Sequence, residues 1–175
     1  MPSRFRVVAG YLAGVVVFFF ARPTPRSLLI ALPLFVLGEG VRLWASGHIE
    51  KTLRLATGGP YAHTRNPLYV GSALLAAGVA VACASLASAA AVVLYLVAFY
   101  PAVIREESAF LRRKFEGQYE AWAREVPLLV PRLTPGGPRE TRFSWERVAK
   151  NREWRTVLAL PVVVALLFAR SFLPS

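Results

Sequence analysis

Residues 67–104 read PLYVGSALLAAGVAVACASLASAAAVVLYLVAFYPAVI, a stretch of 38 residues without a charged side chain. As one straight helix this stretch would be about 57 Å long, whereas the hydrocarbon core of a bilayer is about 30 Å thick. The segment Ala84-Ser85-Leu86-Ala87-Ser88 has the small and polar side chains of a turn. We therefore predict a helical hairpin in which both helices lie in a membrane.

Three further apolar runs flank the hairpin in the sequence: Val7–Ala21, Ser27–Val41 and Thr156–Ala169. Hydrophobic residues make up 55% of the chain and charged residues 18%, whereas a soluble domain is about a quarter charged. The basic start of the chain resembles a signal peptide, but the first run ends without a small-x-small cleavage pattern, which favours a retained helix. Together the runs predict an all-α integral membrane protein with about five transmembrane helices, forming a single domain over residues 1–175.

The distribution of basic residues predicts how these helices are oriented. The chain has 21 lysines and arginines, 10 acidic residues and a net charge of +11. Two of the basic residues precede the first span, four lie in the second loop and twelve in the fourth, against three elsewhere. Because basic loops stay in the cytoplasm, we predict a cytoplasmic N-terminus and a site facing the cytoplasm. The short chain and its composition, rich in arginine and alanine, favour a bacterial inner membrane. The same distribution argues against a nucleic-acid partner.

Metal ligands are scarce in this chain. The only cysteine is Cys83, which lies in an apolar run, and the only histidines are His48 and His63. These residues do not have a ligand spacing of a known kind. We therefore expect neither a metal site nor an intrachain disulfide.

The segment from Glu106 to Val126 places aromatic and leucine side chains at helical spacing, with basic and acidic residues on the other face. This pattern is typical of an amphipathic helix, which the charge distribution assigns to the cytoplasmic side. The segment is either an interfacial helix or an extension of the fourth span, and the pattern does not distinguish the two.

Two polar segments beside the spans are candidates for chemistry. Gly58–Gly71 combines glycines, which allow close backbone approach to a ligand, with tyrosines, which offer a flat face and a polar tip. Its alternative interpretation is an ordinary loop anchored at the membrane interface. The second segment is Arg105-Glu106-Glu107 at the end of the hairpin. Its acids either bind hydroxyl or ammonium groups of a ligand, or are solvated or paired with arginine.

The order and spacing of the two segments resemble a known family. They supply Gly59-Pro60-Tyr61, Arg65-Asn66-Pro67-Leu68-Tyr69-Val70-Gly71 and, after the hairpin, Glu106-Glu107, Leu111, Phe115, Gly117, Tyr119, Trp122 and Val126-Pro127. This pattern resembles the isoprenylcysteine carboxyl methyltransferase family, with its related phospholipid and thiol methyltransferases. Within that family the chain resembles a bacterial-type member. The resemblance covers about residues 53–131, which we take as the cofactor-site region.

Three features depart from the family pattern. Asn66 stands where the family often has His, and an asparagine does not titrate. Trp122 replaces a usual Tyr. The spacing after the acids is one residue longer than usual, and counting back from Leu111 favours Glu107 over Glu106.

The resemblance implies S-adenosylmethionine as the cofactor, bound without a Rossmann fold, and the sequence has no Gly-x-Gly-x-x-Gly. The cofactor-binding residues that follow by position are Leu53, Arg54, Leu55, Ala56, Tyr61, Asn66, Pro67, Leu68, Tyr69, Glu107 and Glu106. The catalytic group is not assigned, and its candidates are Arg65, Asn66 and Arg105.

Some of these residues have two interpretations. Arg65 or Arg105 holds an acceptor carboxylate or phosphate, or else anchors its helix at the interface. His63 is the nearest base for an amine acceptor, although a histidine in a loop is more often solvated. Glu39 either pairs with Arg42 one helical turn away or reaches water.

The implied activity is methyl transfer to a lipophilic or membrane-associated small molecule, with a carboxylate, amine or thiol as acceptor and with membrane lipid as a partner. One alternative is an NADPH-dependent membrane reductase, because sterol reductases resemble the hairpin region. The other is a non-catalytic lipid-binding membrane protein, which the departure at Asn66 leaves open. The segment Asn151–Trp154 either lines the pocket or anchors the last helix, and we favour anchoring.

Overall fold

The computed structural model describes residues 3–50, 53–138 and 141–173, with side chains from residue 7 onward. These residues form helices joined by loops, and no strand occurs in the ranges given, so the all-α prediction is confirmed for them. Lys51, one of the basic residues counted in the second loop, and Arg139 in the fourth lie outside the described residues. The helices are α1 (Ser3–Phe20), α2 (Pro25–Ser46), α3 (Pro67–Ala82), α4 (Leu86–Glu125), α5 (Trp145–Lys150) and α6 (Trp154–Arg170), and Gly59–Ala62 forms a 3-10 turn.

Two of the described helices are long and apolar enough to cross a membrane by length and composition, namely α2 and α4. Two shorter apolar helices, Val7–Phe20 and Pro67–Ala82, fall below that length. These helices are consistent with a membrane protein. The count of five spans and their orientation stay predictions.

The hairpin is present where the length of the uncharged stretch requires a reversal. Helix α3 ends at Ala82 and α4 begins at Leu86. Ala84 has a φ of 46°, the left-handed conformation that reverses the chain between them. The predicted turn is therefore correct at its start, whereas Leu86–Ser88 already belongs to α4.

The amphipathic segment continues α4, which runs 40 residues from Leu86 to Glu125. Of the two alternatives, the structure has an extension of the fourth predicted span, the second helix of the hairpin, rather than a separate interfacial helix. The extension is interrupted at Glu116, whose backbone angles of φ 35° and ψ −117° are not helical. Gly117 follows directly, so the break lies beside a residue that tolerates unusual backbone angles.

The described residues fall into two compact units. The first, called here the apolar unit, comprises the described residues before Gly38, together with Ala73–Val103 and those from Leu158 onward. Small and aliphatic side chains form its buried core: Val17, Ala21, Leu28, Ala31, Phe35, Ala82, Cys83 and Leu167. Two side-chain hydroxyls hydrogen-bond to helix carbonyls within it, Ser27 to Ala82 and Ser88 to Val17, each at 2.8 Å.

The second, called here the polar unit, comprises Gly38–Ser72 and Ile104–Val157. Its buried hydrophobic core is small and rich in aromatic side chains, consisting of Ala45, Leu55, Tyr61, Tyr119, Trp122 and Val126. Every residue of the two candidate segments belongs to this unit, so the chemistry predicted from the sequence is confined to it.

Candidate ligand site in the polar unit

The motif loop, residues 58–66, is held along its length by the return segment, residues 126–138, and by the end of α4. The Trp122 indole donates to the Tyr61 carbonyl at 3.0 Å. The Gly136 amide donates to the Ala62 carbonyl at 2.8 Å, and the Arg132 amide to the His63 carbonyl at 2.9 Å. Buried backbone groups need such partners, so these bonds fix the loop's path beside α4.

The end of the motif loop has three bonds to consecutive carbonyls of the return segment. The Thr64 hydroxyl donates to Leu129 at 3.0 Å, the Arg65 amide to Pro127 at 2.8 Å and the Asn66 side-chain amide to Leu128 at 2.8 Å. The observed role of the Asn66 amide nitrogen is therefore to fasten the loop. His63 is similarly engaged, with its ring Nδ1 2.8 Å from the Arg132 carbonyl oxygen.

Gly59 allows the loop to approach His48, in the turn after α2, closely. Its φ of +57° is a conformation that L side chains rarely adopt. A Cβ at this position would lie 2.4 Å from the ring of His48. His48 is itself buried, and its Nδ1 lies 2.9 Å from the Trp44 carbonyl.

The motif loop, the start of α3 and α4 surround a cavity of about 280 Å³, called here the polar chamber. Within it the Tyr69 hydroxyl donates to the Glu107 carboxylate at 2.9 Å, joining two residues that are 38 positions apart. Its lining consists of Arg42, Tyr61, Arg65, Asn66, Pro67, Leu68, Tyr69, Ser72 and Glu107.

A second cavity of about 360 Å³, the apolar chamber, is lined mainly by hydrophobic and aromatic side chains. Tyr61, Arg65, Leu68 and Glu107 belong to the walls of both chambers. The remaining lining residues are Ile49, Glu50, Arg54, Leu55, Ala56, Phe110, Leu111, Lys114, Phe115 and Trp122. Both volumes are near or within the range of small-molecule sites, about 300–1,000 Å³.

All but three of the predicted site residues line one of the two chambers. The exceptions are Leu53, which is 72% exposed, and the exposed residues Arg105 and Glu106. The spacing argument that favoured Glu107 over Glu106 thus agrees with the placement of the two acids. Glu107 faces both chambers, whereas Glu106 lines neither.

Arg42 is a lining residue that the motif did not indicate. The sequence left open whether Arg42 pairs with Glu39, but its guanidinium bonds Glu153 at 2.7 Å, together with the hydroxyls of Ser72 and Thr156. Both oxygens of the buried Glu39 carboxylate have no hydrogen-bond partner among the described residues, so Glu39 neither pairs with Arg42 nor reaches water. Helix geometry alone places residues 39 and 42 near each other, but a competing carboxylate takes the arginine.

For the segment that contains Glu153 we favoured anchoring of the last helix. Glu153 has a further role. It holds an arginine that lines the polar chamber. Asn151 in the same segment donates its side-chain amide to the carbonyls of Ser46 and Ile49, at 2.8 and 3.0 Å. Sequence reasoning missed the pair of Arg42 and Glu153 because 111 positions separate its members.

Tyr61 is the lining residue with the most strongly altered acidity. Burial raises the pKa of its phenol well above the ordinary value, and the nearby Glu107 carboxylate raises it further. Its hydroxyl consequently stays protonated at neutral pH. Tyr61 offers a ligand an aromatic face and a neutral hydroxyl, and it does not serve as a base.

These observations define a class: a helical protein that has, among its described residues, two helices of membrane-spanning length and a chambered small-molecule site in its polar unit. Comparison with known families assigns the chain more closely. Residues 27–118 match the phospholipid methyltransferase family. Because the match covers more than half of the chain, the protein belongs to this family, whose methyltransferases generally use S-adenosylmethionine.

Two curated relatives match a shorter part of the chain. The nickel-cobalt-cadmium resistance protein NccN of Alcaligenes xylosoxydans xylosoxydans is 38% identical over 95 residues. The cobalt-zinc-cadmium resistance protein CzcN of Cupriavidus metallidurans is 40% identical over 95 residues. Each match covers 53% of this chain and 44% of the relative, so the chain spans less than half the length of either protein. No solved structure gives a significant match.

Proposed function

We propose that this protein is an S-adenosylmethionine-dependent methyltransferase acting on a lipophilic or membrane-associated small molecule. The observation that carries the proposal is the bond of the Tyr69 hydroxyl to Glu107 in the wall of the polar chamber. Tyr69 and Glu107 come from the two segments that resemble methyltransferases, and both lie within the region that matches the family.

The residues present fit the cofactor in both its polar and its apolar parts. The Glu107 carboxylate accepts hydrogen bonds from ribose hydroxyls or an ammonium group, and Tyr69 holds it in place at 2.9 Å. Leu55 and Ala56 in the apolar chamber provide apolar surface and backbone groups for an adenine ring. Tyr61 lines both chambers, and its aromatic face is suited to packing on a base or a sulfonium.

When bound, S-adenosylmethionine supplies a methyl group that is already activated by its positive sulfur. The chain's own residues then need to align the acceptor and exclude water. The motif loop is fastened to the return segment by the bonds described above, so Arg65 and Tyr61 are held in position before a ligand binds. Among the described residues no histidine lines either chamber, and the carboxylates that do are those of Glu107 and Glu50.

The side chains that line the chambers indicate which chemical class of methyl acceptor fits them. A carboxylate or thiolate acceptor needs no base, whereas a protonated amine must first lose a proton. His63, the predicted base, lines neither chamber, and its ring nitrogen is engaged by Arg132. The lining therefore favours an anionic acceptor over a protonated amine. The aromatic wall formed by Phe110 and Phe115 favours one with an apolar body.

The proposed setting is the cytoplasmic membrane of a bacterium, with the N-terminus and the chambers on the cytoplasmic side. The support for this orientation is the concentration of basic residues in the second and fourth loops. Membrane lipid then surrounds the apolar helices.

The first experiment is a calorimetric titration of detergent-purified protein with S-adenosylhomocysteine, the product form of the cofactor. We expect micromolar binding that weakens about 10- to 100-fold in Glu107→Ala, as expected for loss of a hydrogen bond to a charged group. The matched control is Glu106→Ala, which removes the neighbouring acid and should bind normally. A parallel titration with NADPH tests the reductase alternative. A folded protein that binds NADPH and not S-adenosylhomocysteine would refute the methyltransferase proposal.

A further inference from the structure

Arg65 occupies a distinctive place among the basic residues of the site, because it lines both the polar and the apolar chamber. Arg54 and Lys114 line only the apolar chamber, and Arg42 lines only the polar one. Four residues belong to both linings, and this shared wall is called here the junction of the chambers. Arg65 is the basic residue of the four.

The hydrogen bonds of Arg65 are incomplete. Its Nε is buried without a hydrogen-bond partner among the described residues. One terminal nitrogen, NH1, donates to the Tyr119 hydroxyl at a long 3.3 Å. No carboxylate of the described residues lies within ion-pair distance of it. A buried donor without an acceptor is costly, so this arrangement indicates that a ligand supplies the missing acceptor.

Arg42 provides the contrast within the same cavity wall. Its Nε and one terminal nitrogen contact Glu153, and its guanidinium also reaches Ser72 and Thr156. Its charge is thus compensated by the chain itself. Of the two arginines in the polar chamber, Arg65 is the one that has capacity for an anion.

The backbone at Arg65 is fixed on both sides. The bonds of Thr64, Arg65 and Asn66 to carbonyls 127–129 hold in place the backbone from which the Arg65 side chain extends. A guanidinium binds a carboxylate through two parallel N–H donors, one of which is commonly Nε. The Nε and a terminal nitrogen of Arg65 are the donors that such a group would use.

We infer that Arg65 binds a carboxylate of a ligand at the junction of the two chambers. The inference rests on the proposed function and adds the chemical group that the junction recognises. Two ligands carry such a group: the methionine part of the cofactor, and a carboxylate acceptor with an apolar body. In the second case the group bound by Arg65 is the one that receives the methyl. One carboxylate oxygen then forms the new bond to carbon as the carbon–sulfur bond breaks, leaving neutral S-adenosylhomocysteine and a methyl ester.

The test compares ligands with and without the carboxylate. S-adenosylhomocysteine and its decarboxylated analogue S-adenosyl-3-thiopropylamine are titrated into wild type, Arg65→Gln and Arg65→Lys. Palmitate and palmitamide are titrated into the same proteins in the presence of S-adenosylhomocysteine. Arg124→Gln is the matched control, because Arg124 is exposed and lines neither chamber.

The first ligand pair is S-adenosylhomocysteine and its decarboxylated analogue, and the second is palmitate and palmitamide. We expect wild type and Arg124→Gln to bind the carboxylate member of one pair about 10- to 100-fold more tightly than its partner, and Arg65→Gln to lose that preference. Arg65→Lys keeps the charge without the planar fork and should retain only part of it. Loss confined to the first pair identifies the cofactor's carboxylate, and loss confined to the second identifies an acceptor's. Unchanged binding of the decarboxylated analogue shows that the variant is folded.

Two results would overturn the inference, and they are distinguishable. If wild type binds S-adenosylhomocysteine and Arg65→Gln retains every carboxylate preference, Arg65 has another role while the proposed function stands. If folded wild type does not bind S-adenosylhomocysteine, the proposed function fails and the inference fails with it.

Discussion

The apolar and polar units differ in how their backbone N–H and C=O groups find hydrogen-bond partners. In the apolar unit, the helices satisfy their own backbone groups and pack through small side chains such as Ala21, Ala31 and Ala82. Only a few side-chain hydroxyls, including Ser27 and Ser88, link one helix to another. Regular helices need no further partners in an apolar environment.

The polar unit contains the long loops, residues 47–66 and 126–144, and their backbone depends on partners distant in sequence. The motif loop relies on Trp122, on the return segment and on Thr141, whose hydroxyl accepts a bond from the Gly58 amide at 2.9 Å. The return segment lies beyond the residues 27–118 that match the family. The comparison teaches that the region matched to the family supplies the lining residues other than Trp122, whereas a segment beyond that region holds the motif loop in place.

The largest expected effect on stability is removal of the indole that joins α4 to the motif loop. Trp122 is 1% exposed and donates to Tyr61. Trp122→Ala should lower the free energy of unfolding by about 3–5 kcal/mol, as for other buried aromatic truncations, measured by denaturant unfolding in detergent. Trp145→Ala is the control, because Trp145 is 69% exposed and should cost about 1 kcal/mol or less. Equal losses in the two variants would contradict the role given to Trp122.

Breaking the buried ion pair tests the long-range polar contacts of this unit. Glu153→Ala leaves the Arg42 guanidinium uncompensated and should cost about 3 kcal/mol of unfolding free energy. Replacing both residues, with Arg42→Met and Glu153→Leu, should recover most of that loss. The exposed pair of Arg112 and Glu120 serves as the comparison, and Glu120→Ala should cost less than about 1 kcal/mol. If Glu153→Ala is no less stable than the double variant, the ion pair does not have the role given to it here.

Packing in the apolar unit is tested with two glycines. A Cβ at Gly78 would lie 2.6 Å from the Phe35 ring, so Gly78→Ala should cost about 1–3 kcal/mol through overpacking. No atom lies within 4 Å of a Cβ at Gly14, and Gly14→Ala should be neutral or stabilising by up to about 1 kcal/mol. Thermal unfolding of both variants in the same detergent provides the measurement. The prediction is wrong if Gly14→Ala is the more damaging change.

The smallest effect is expected from a hydroxyl of the apolar unit. Ser27→Ala removes the bond to the Ala82 carbonyl, and should cost about 1 kcal/mol in the same unfolding assay. Ser171→Ala removes a hydroxyl whose hydrogen bond to the Phe168 carbonyl is exposed, and it should change stability by less than about 0.5 kcal/mol. A loss for Ser27→Ala as large as that for Trp122→Ala would mean that the two units depend on polar contacts equally.

The sequence was sufficient for those features that length and spacing determine. The hairpin followed because an uncharged stretch of 38 residues exceeds the thickness of a bilayer. Counting back from Leu111 selected Glu107, the acid that lines both chambers. The amphipathic period identified a helix, but period alone does not reveal whether that helix continues the preceding one or breaks at Glu116.

Other features were beyond sequence reasoning for a physical reason. The bonds that fasten the motif loop end on backbone carbonyls of residues 127–129, and a carbonyl has no sequence signature. Two carboxylates, those of Glu39 and Glu153, were possible partners of Arg42. Local helix geometry indicated Glu39, whereas tertiary packing places Glu153 at ion-pair distance. Arg65 was a candidate from the motif, but only the structure shows that its Nε is buried without a partner.

The central claim is that the chambers of the polar unit bind S-adenosylmethionine, and photo-crosslinking tests it most directly. Purified protein is irradiated with tritium-labelled S-adenosylmethionine, with and without excess S-adenosylhomocysteine, and the labelled peptides are sequenced. We predict label, displaced by the competitor, on peptides that contain Tyr61, Tyr69 or residues 107–122 of α4. Competable label confined to α1 or α6, or no competable label in a folded sample, would contradict the account.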